Sequence, residues 1–446
     1  MSAALYSYYG DDFTGSTDVL EALATAGIRS VLFLGVPSEK HRRQFADCQA
    51  FGIAGDSRSR SPEWMDAHLP EIFAELRTFG APVVHYKTCS TFDSSPRVGS
   101  IGRALEIGHR SLQPTLIPIV VAAPHLRRYV VFGNLFAAAG EPVYRIDRHP
   151  TMRQHPVTPM HEADLRRHLA QQTQMRVGLI DLPTLQSGDA ACELASQLAT
   201  GVSAVLFDGV GENDLLETGR LIWENALRQP LLAVGSSGVT YSLVAAWRAN
   251  HPGASAPSHP AISPQPNSTP QGLESAARLL AISGSCSPAT ERQIKHALSH
   301  GYEAIAIDPA ELLSDTLATA AMRGHVERAI TALRGNGKVV VYTSLGPLPP
   351  GVAARGDTLG QQLGAMLRDI IKGSGVRRVV LAGGDTSSHA VAQLGLYALT
   401  WSATIQPGAP LCRAHSDSPE LDGLELVLKG GQVGTEDFFE RVRTAK

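Results

Sequence analysis

Residues 4–18 read Ala-Leu-Tyr-Ser-Tyr-Tyr-Gly-Asp-Asp-Phe-Thr-Gly-Ser-Thr-Asp, an apolar and aromatic run that ends in two adjacent acidic residues. The run predicts a buried first strand, and the apolar spacing after it predicts an amphipathic helix. Asp11 and Asp12 then lie at the carboxyl end of that strand, where open α/β sheets bind their ligands. The flanking Gly10 and Gly15 permit a tight turn. The same pair of carboxylates is also compatible with a simple helix start.

Outward from this stretch, strand-like runs alternate with helical ones along the chain. At 446 residues the chain exceeds the ~250–300 residues that one hydrophobic core usually serves. A Pro-, Ser- and Ala-rich segment at 251–272 has the composition of an extended linker. The pattern therefore predicts two α/β domains with mainly parallel sheets, at residues 1–250 and 273–446.

The bulk composition excludes several classes of protein. The net charge is −3 without a basic block, so nucleic acid and anionic membranes are poor partners. Five scattered cysteines without a CxxC motif indicate reduced thiols and neither a disulfide framework nor a zinc site. Neither a signal peptide nor an apolar run of ~18 residues is evident. We expect a cytoplasmic protein.

The C-terminal part carries three glycine- and hydroxyl-rich turns, each after a predicted strand: 283–287, 383–388 and 429–434. A helix is expected from His389, after the second of them. Backbone N–H groups and hydroxyls at a strand end suit phosphate oxygens, although each turn alone also fits an ordinary strand-to-helix connection. Neither a GxxxxGK[ST] nor a GxGxxG after a strand is present, which counts against the P-loop and Rossmann classes. Together the three turns predict a nucleotide-phosphate site with the candidate residues Ser285, Ser287, Gly383, Gly384, Asp385, Thr386, Gly430, Gly431 and Gly434.

A polar loop in the N-terminal half follows the predicted strand Pro82–Tyr86. Lys87 can pair with a carboxylate, and Ser90, Thr91 and Asp93 can bind hydroxyl groups. The loop therefore predicts a site for a small polyhydroxy acid. A solvated surface loop is the alternative.

A third polar stretch, residues 144–160, is rich in Arg and His and contains three prolines. Arg145, Arg148 and His155 are candidates for binding an anionic substrate. A surface loop stiffened by proline is the alternative.

Six motifs in order make the chain resemble the four-carbon acid sugar kinases. The resemblance covers nearly the whole chain and is weakest at residues 49–76 and in the linker. The motifs are Gly10-Asp11-Asp12-Phe13-Thr14-Gly15, Lys87-Thr88-Cys89-Ser90-Thr91-Phe92-Asp93-Ser94, His155-Pro156-Val157-Thr158-Pro159-Met160, Gly284-Ser285-Cys286-Ser287, Gly383-Gly384-Asp385-Thr386-Ser387 and Lys429-Gly430-Gly431-Gln432-Val433-Gly434.

The resemblance implies a sugar-acid-binding N-terminal domain and an ATP-binding C-terminal domain, with the active site in the cleft between them. It implies phosphorylation of an acid such as threonate, erythronate or 3-oxo-tetronate. Four features depart from the family pattern: Gly10 replaces an alanine, Thr88 replaces a second lysine, residues 430–434 replace Ser-Gly-Asn-Phe-Gly, and residues 145–152 are unlike the best-known members. These departures make a branched oxo-acid, such as 3-oxo-isoapionate, an alternative substrate.

Phosphoryl transfer needs an oriented hydroxyl, neutralised phosphate charge and exclusion of water. Asp11 or Asp12 can accept the hydroxyl proton, and we favour Asp12 because it lies nearer the helix start. ATP is the expected phosphate donor, and Mg²⁺ is the expected metal, since it needs only one or two protein carboxylates. Asp385 is the candidate ligand.

Two other functions remain open from the sequence. A sugar-acid sensor without catalysis would keep the Lys87 loop and bind ATP poorly. An acid-sugar oxidoreductase would need the dinucleotide fingerprint that the sequence lacks. The oligomeric state is also open, with a homodimer as one alternative.

Overall fold

The structure, a computed structural model, describes residues 4–155, 157–250, 275–314, 318–346 and 355–445. These form two compact α/β units. The first contains residues 4–30 and 38–250, and the second contains residues 31–37 and the described residues from 275 onward. The predicted linker lies outside the described residues.

The described residues contain eighteen strands, whose bounds are Tyr6–Gly10 (β1), Ser30–Phe33 (β2), Ala50–Ala54 (β3), Val83–Lys87 (β4), Ile117–Val120 (β5), Arg128–Val131 (β6), Asn134–Ala138 (β7), Val143–Arg145 (β8), Val177–Ile180 (β9), Ala204–Phe207 (β10), Leu231–Gly235 (β11), Leu279–Ser283 (β12), Glu303–Ala306 (β13), Lys338–Tyr342 (β14), Arg378–Ala382 (β15), Leu396–Gln406 (β16), Ala409–Ser416 (β17) and Glu425–Lys429 (β18).

The helices of the same residues are Phe13–Thr25 (α1), Glu39–Gln44 (α2), Pro62–Thr78 (α3), Ile101–Leu112 (α4), Leu165–Ala170 (α5), Leu182–Ser187 (α6), Ala190–Ala199 (α7), Glu212–Arg228 (α8), Gly238–Asn250 (α9), Pro288–Ser299 (α10), Pro309–Leu312 (α11), Ala318–Gly335 (α12), Gly356–Ser374 (α13), Gly384–Ala392 (α14) and Phe438–Thr444 (α15).

The first unit is built on a seven-stranded parallel sheet in the order β3-β1-β4-β11-β5-β10-β9. All five residues of β1 are buried, because helices cover the sheet and the apolar-aromatic run has no solvent face. Helix α1 begins directly after β1, with the Asp12 side chain as its N-cap. The chain therefore returns from each strand through a helix, as the alternating pattern predicted.

The second unit has a parallel core, β13-β14-β12-β15-β18, extended by the antiparallel strands β17, β16 and β2. The long β16–β17 hairpin was not predicted from the sequence. Residues 31–37, from the N-terminal part of the chain, belong to this unit because β2 pairs with β16. A prediction based on the position of the linker alone cannot find such an exchange.

Two other features differ from the sequence predictions. Helix α14 begins at Gly384 and not at His389, so most of the predicted turn is already the first helical turn. A small antiparallel sheet of β6, β7 and β8 follows β5. No helix among the described residues is long and apolar enough to cross a membrane.

Candidate functional site

The first unit brings its predicted site residues together at the carboxyl ends of three neighbouring strands. Gly10, the last residue of β1, lies in register with Ala54 of β3 on one side and Lys87 of β4 on the other. From β1 the chain reaches β3 on one side, and from β3 it crosses back past β1 to β4 on the other side. These two connections therefore run in opposite directions along the sheet. This is a topological switch point, where open α/β sheets form a ligand crevice.

Asp12 is held in place through both of its carboxylate oxygens. Oδ1 accepts hydrogen bonds from the Gly15 amide and from the Thr14 hydroxyl, the latter at 3.0 Å. Oδ2 accepts from the Arg58 guanidinium at 2.9 Å. Burial acts to raise the pKa of Asp12, but the charges of Arg58 and Lys87 outweigh it and hold the pKa below its usual value. Asp12 is thus an ionised helix cap and a weak base.

Asp11 lies beside the same charged residues as Asp12, but its carboxyl group has different hydrogen bonds and a different pKa. Its amide donates to the Lys87 carbonyl at 2.9 Å, and its carbonyl accepts from the Arg58 amide at 3.1 Å. Its Oδ1 is buried and has no hydrogen-bond partner among the described residues. Burial, and then the negative charge of Asp12, raise the pKa of Asp11 to about 8. The two carboxylates therefore separate into one fixed anion and one group that titrates near neutral pH.

Arg58 links the acidic pair to the Lys87 loop. It lies in the short 3₁₀ helix Ser57–Ser59, which follows β3. Besides Asp12, its guanidinium donates to both oxygens of Asp93, at 3.0 and 3.1 Å. Burial acts to raise the pKa of Asp93, but Arg58 and two hydroxyl donors lower it to about 2. Arg58 thus neutralises two carboxylates and has little charge left for a ligand.

Lys87 is the cation of this site whose donors are least used. It is the last residue of β4, and its Nζ donates to the Thr88 carbonyl at 2.9 Å. A Cβ added at Gly15 would lie 2.8 Å from Lys87 Nζ and 2.9 Å from Asp12 Oδ1, so the first turn of α1 passes directly beside both groups. Phe92, in the loop that follows, has a φ of +53°, a strained conformation for a non-glycine residue.

The loop after the small sheet closes over Asp93. The Thr158 hydroxyl donates to Asp93 Oδ2 at 2.8 Å, and the Thr158 amide donates to His155 Nδ1 at 3.1 Å. Thr91 donates to the other oxygen of Asp93. His155 and Thr91 therefore belong to the same hydrogen-bond network as Asp93, and their role in substrate binding stays a prediction.

Two predicted substrate-binding residues are not joined to this network. Ser90 is half-buried in the Lys87 loop, and Arg148 is exposed at the end of the 3₁₀ helix Ile146–Arg148. In the part of the chain that the structure describes, neither makes a hydrogen bond to Asp11, Asp12, Lys87 or Asp93. Their role in binding stays a prediction.

The second unit places its three predicted phosphate turns side by side. They follow β12, β15 and β18, which are adjacent parallel strands. The Gly284 amide donates to the Ala382 carbonyl at 3.2 Å, and the Gly383 amide donates to the Lys429 carbonyl at 3.0 Å. The turns therefore meet at the carboxyl edge of one sheet.

Two of these turns are in close contact. Ser287 caps helix α10 by accepting from the Ala289 amide at 3.2 Å, and Ser285 accepts from the Ser287 amide at the same distance. A Cβ added at Gly431 would lie 2.7 Å from Ser285 Oγ and 3.0 Å from Ser287 Cβ. Only glycine fits at position 431 without displacing the serine loop.

The third turn leaves space beside its backbone. Gly383 has a φ of +117°, which favours glycine, and a Cβ added at Gly384 would meet nothing within 4 Å. The side chains of Asp385 and Thr386 lie outside what the structure describes. Among the described residues, no group of three or more His, Cys, Asp or Glu side chains could hold a metal ion.

Sequence reasoning missed Arg58 and Thr158 as site residues. Arg58 comes from a stretch in which the resemblance is weakest, and no strand-end motif marks it. Thr158 was quoted within the third motif, but nothing in its spacing indicates that it reaches Asp93.

Two family models match the chain. One, described as a sugar-binding N-terminal domain, covers residues 6–243. The other, described as a nucleotide-binding C-terminal domain, covers residues 280–439.

Curated relatives match over almost the whole chain. A 3-oxo-isoapionate kinase of Paraburkholderia graminis is 43% identical and is aligned over 99% of this chain and 94% of that protein. A 3-oxo-tetronate kinase of Methylobacterium radiotolerans is 32% identical, with 99% of both chains aligned. The crystal structure of a Salmonella typhimurium LT2 protein has a TM-score of 0.76 at 24% identity and covers 99% of this chain and 98% of that one, which is a likeness of fold.

Proposed function

Because the chain belongs to the family with a sugar-binding N-terminal domain and a nucleotide-binding C-terminal domain, we propose that it is an ATP-dependent kinase of a small sugar acid. Family membership confirms the resemblance drawn from the six motifs. Full-length relatives that are sugar-acid kinases support the enzymatic reading over the sensor and the oxidoreductase.

One observation carries the proposal at the level of chemistry. At the switch point of the first unit, a carboxyl group with a pKa of about 8 lies beside an ionised carboxylate and a lysine with unused donors. A kinase acting on a hydroxy acid needs these components: a proton acceptor, and a cation for the acid's carboxylate.

We assign the proton-accepting role to Asp11, which reverses the preference from the sequence. One carboxylate oxygen of Asp12 accepts from the amide that it caps and the other accepts from Arg58, and the lowered pKa of Asp12 makes it a poor base. Asp11 keeps a buried oxygen that has no hydrogen-bond partner in the described part of the chain, and a base that titrates near the working pH is the most effective one. Asp12 instead orients Arg58 and the first turn of α1.

Lys87 binds the substrate carboxylate in this proposal. A carboxylate beside Nζ accepts hydrogen bonds from donors that the described contacts of Lys87 leave largely unused, and charged hydrogen bonds of this kind contribute about 1.5–3 kcal/mol. Thr91, Asp93, Ser90 and His155 bind hydroxyl or oxo groups nearby. Arg148 is exposed and lies outside this hydrogen-bond network, and it is kept as a candidate contact for the same acid.

ATP binds in this proposal at the carboxyl edge of the second unit. Ser285, Ser287, Gly430, Gly431 and Gly434 supply the serine and glycine loops, and Gly383, Gly384 and Thr386 supply the N-cap and first turn of α14. Mg²⁺, when bound, neutralises charge on the phosphates, with Asp385 as its candidate ligand.

We infer that the acid is an oxo-acid of four or five carbons. The relatives named for 3-oxo-isoapionate and 3-oxo-tetronate both act on such compounds, and the higher identity to the first favours the branched acid. A cytoplasmic location follows from the use of ATP.

The experiment is ADP release from MgATP with a panel of acids: 3-oxo-isoapionate, 3-oxo-tetronate, threonate and erythronate. We expect the highest kcat/KM for an oxo-acid, and a Lys87→Met variant with a raised KM for that acid and an unchanged KM for ATP. Acid binding without ADP release would favour the sensor. Acid-dependent reduction of a dinucleotide would favour the oxidoreductase.

A further inference from the structure

Lys429 is a fully buried lysine in the second unit. It ends β18, and its Nζ donates to the Thr290 hydroxyl at 3.0 Å. The amine also lies 5.8 Å from the centroid of the Phe438 ring. In the described part of the chain no carboxylate lies within ion-pair distance of it, and burial lowers its pKa to about 7.

The position of Lys429 connects it to the predicted nucleotide loops. Thr290 lies in the first turn of α10 and donates its own hydroxyl proton to the Gly431 carbonyl at 2.8 Å. Gln293, one turn further along, donates to the carbonyls of Val433 and Gly434 at 3.0 and 2.9 Å. Lys429 therefore lies at the base of both loops, at the start of a hydrogen-bond chain that joins them.

A purely structural role does not account for a lysine here. An ammonium group has three N–H donors, and the described contacts use one of them. Burying such a group without partners costs free energy, and an apolar side chain of similar volume would fill the space more stably. An anion that is present only in the liganded state would accept from the two remaining donors.

The described charged side chains of the packed elements do not supply that partner. On helix α10, strand β15 and helix α15 they pair elsewhere: Glu291 with Lys295, Arg292 with Glu436, Arg378 with Glu425, and Glu440 with Arg443. On strand β17, Arg413 is exposed and His415 is hydrogen-bonded to Thr400. Cys412 of the same strand is buried. Helix α14 carries His389, whose described contacts do not include Lys429, and Asp385, whose side chain lies outside what the structure describes.

We propose that Lys429 is a positioning residue of the nucleotide site that takes up a proton from solvent when the phosphates of ATP bind. The charged amine then balances phosphate charge in the buried edge of the sheet. Through Thr290 it fixes the first turn of α10 and the glycine loop around the ligand. The inference rests on the proposed function only in taking ATP as the anion.

The experiment measures proton uptake when ATP binds to the full-length chain without the acid. Titration calorimetry at pH 8 in buffers of different ionisation enthalpy gives the number of protons taken up. We expect about one proton for the wild type at pH 8 and little uptake at pH 6, since the free amine is mostly neutral only above pH 7. The KM for ATP should rise by up to about tenfold per pH unit above pH 7.

Lys429→Met should abolish this uptake, weaken ATP binding about 10- to 100-fold and raise the Tm of the free protein. Lys429→Arg keeps a permanent charge, so it should bind ATP with an affinity that no longer falls with pH. Thr290→Val should weaken ATP binding and keep the proton uptake, because the amine is retained. The KM for the acid should be unchanged in all three.

Two results would overturn the inference: proton uptake and ATP affinity in Lys429→Met equal to those of the wild type, or a pH dependence of ATP affinity that survives in Lys429→Arg. Both leave the kinase assignment standing. Failure of the wild type to bind ATP would instead contradict the proposed function.

Discussion

At the scale of single residues, Asp11 and Asp12 show how two identical side chains acquire different partners and roles from their positions in the backbone. Asp12 points along the helix start and gains a cation and an amide. Asp11, one residue earlier, is desolvated and gains neither at Oδ1. The sequence shows that two carboxylates lie at a strand end, but only the backbone geometry tells which one caps the helix and which one stays available for chemistry.

Asp11→Asn should lower kcat by about 10²–10⁴-fold, because a general base contributes that much. In the wild type, kcat/KM for the acid should rise with pH and level off above about 8. Asp11 has a raised pKa when folded, so the stability it contributes at low pH is lost as the pH rises through 8. The variant lacks that loss, so its Tm advantage should grow as the pH rises from about 4 to about 8 and should level off above 8.

Asp12→Asn is the matched control. Asparagine keeps a capping oxygen, so the helix start should survive while the charge facing Arg58 is lost. Its kcat should fall less than that of Asp11→Asn, and its Tm should drop. A larger kcat loss in Asp12→Asn than in Asp11→Asn would return the base role to Asp12.

Arg58→Met should lower the free energy of unfolding at pH 7 by about 3 kcal/mol, because two buried carboxylates lose their cation. Asp93 has a pKa of about 2 when folded, so the stability from its pairing is present above its unfolded pKa and is lost as the pH falls towards 2. The difference between variant and wild type in urea unfolding should therefore shrink below pH 4. Arg60→Met, which breaks the more exposed pair with Asp56, should cost only about 0–1 kcal/mol. Equal costs in the two variants would show that Arg58 does not hold the site together.

At the scale of secondary-structure elements, the parallel strands and the turns after them could be predicted from the sequence. The β16–β17 hairpin and the start of α14 could not. The run before Asp11 has no polar alternation, which is typical of a strand buried on both faces. The β16–β17 hairpin was missed because its long strands carry mixed residues, although Pro407-Gly408 between them is a typical turn pair. The start of α14 was placed late, since glycine and hydroxyl residues favour turns in isolation and a helix here only through the packing of the unit.

Gly431→Ala should raise the KM for ATP with little change in kcat, because its Cβ would lie 2.7 Å from Ser285 Oγ and 3.0 Å from Ser287 Cβ. The serine loop must shift to accept it. Gly430→Ala is the control, since its Cβ would meet Val433 at an ordinary 3.6 Å. Steady-state kinetics at varied ATP would separate the two. An equal KM in both variants would remove the glycine loop from the nucleotide site.

At the scale of the whole molecule, the sequence led to the family and the two-unit fold, and the structure supplied what spacing cannot show. Residues 31–37 leave the first unit to complete the sheet of the second. Arg58 and Lys429 also lie outside any spacing argument, because their partners are 35 and 139 residues away in the chain. Contacts of that range depend on the tertiary fold and leave no local trace in the sequence.

The most direct test of the central claim is the identity of the product. The full-length chain is incubated with MgATP and 3-oxo-isoapionate or 3-oxo-tetronate, and the mixture is followed by ³¹P NMR and mass spectrometry. We expect a phosphate monoester of the acid to form in step with ADP, and to be nearly absent with Asp11→Asn. ATP consumption that yields only inorganic phosphate, or no consumption with any acid of the panel, would contradict it.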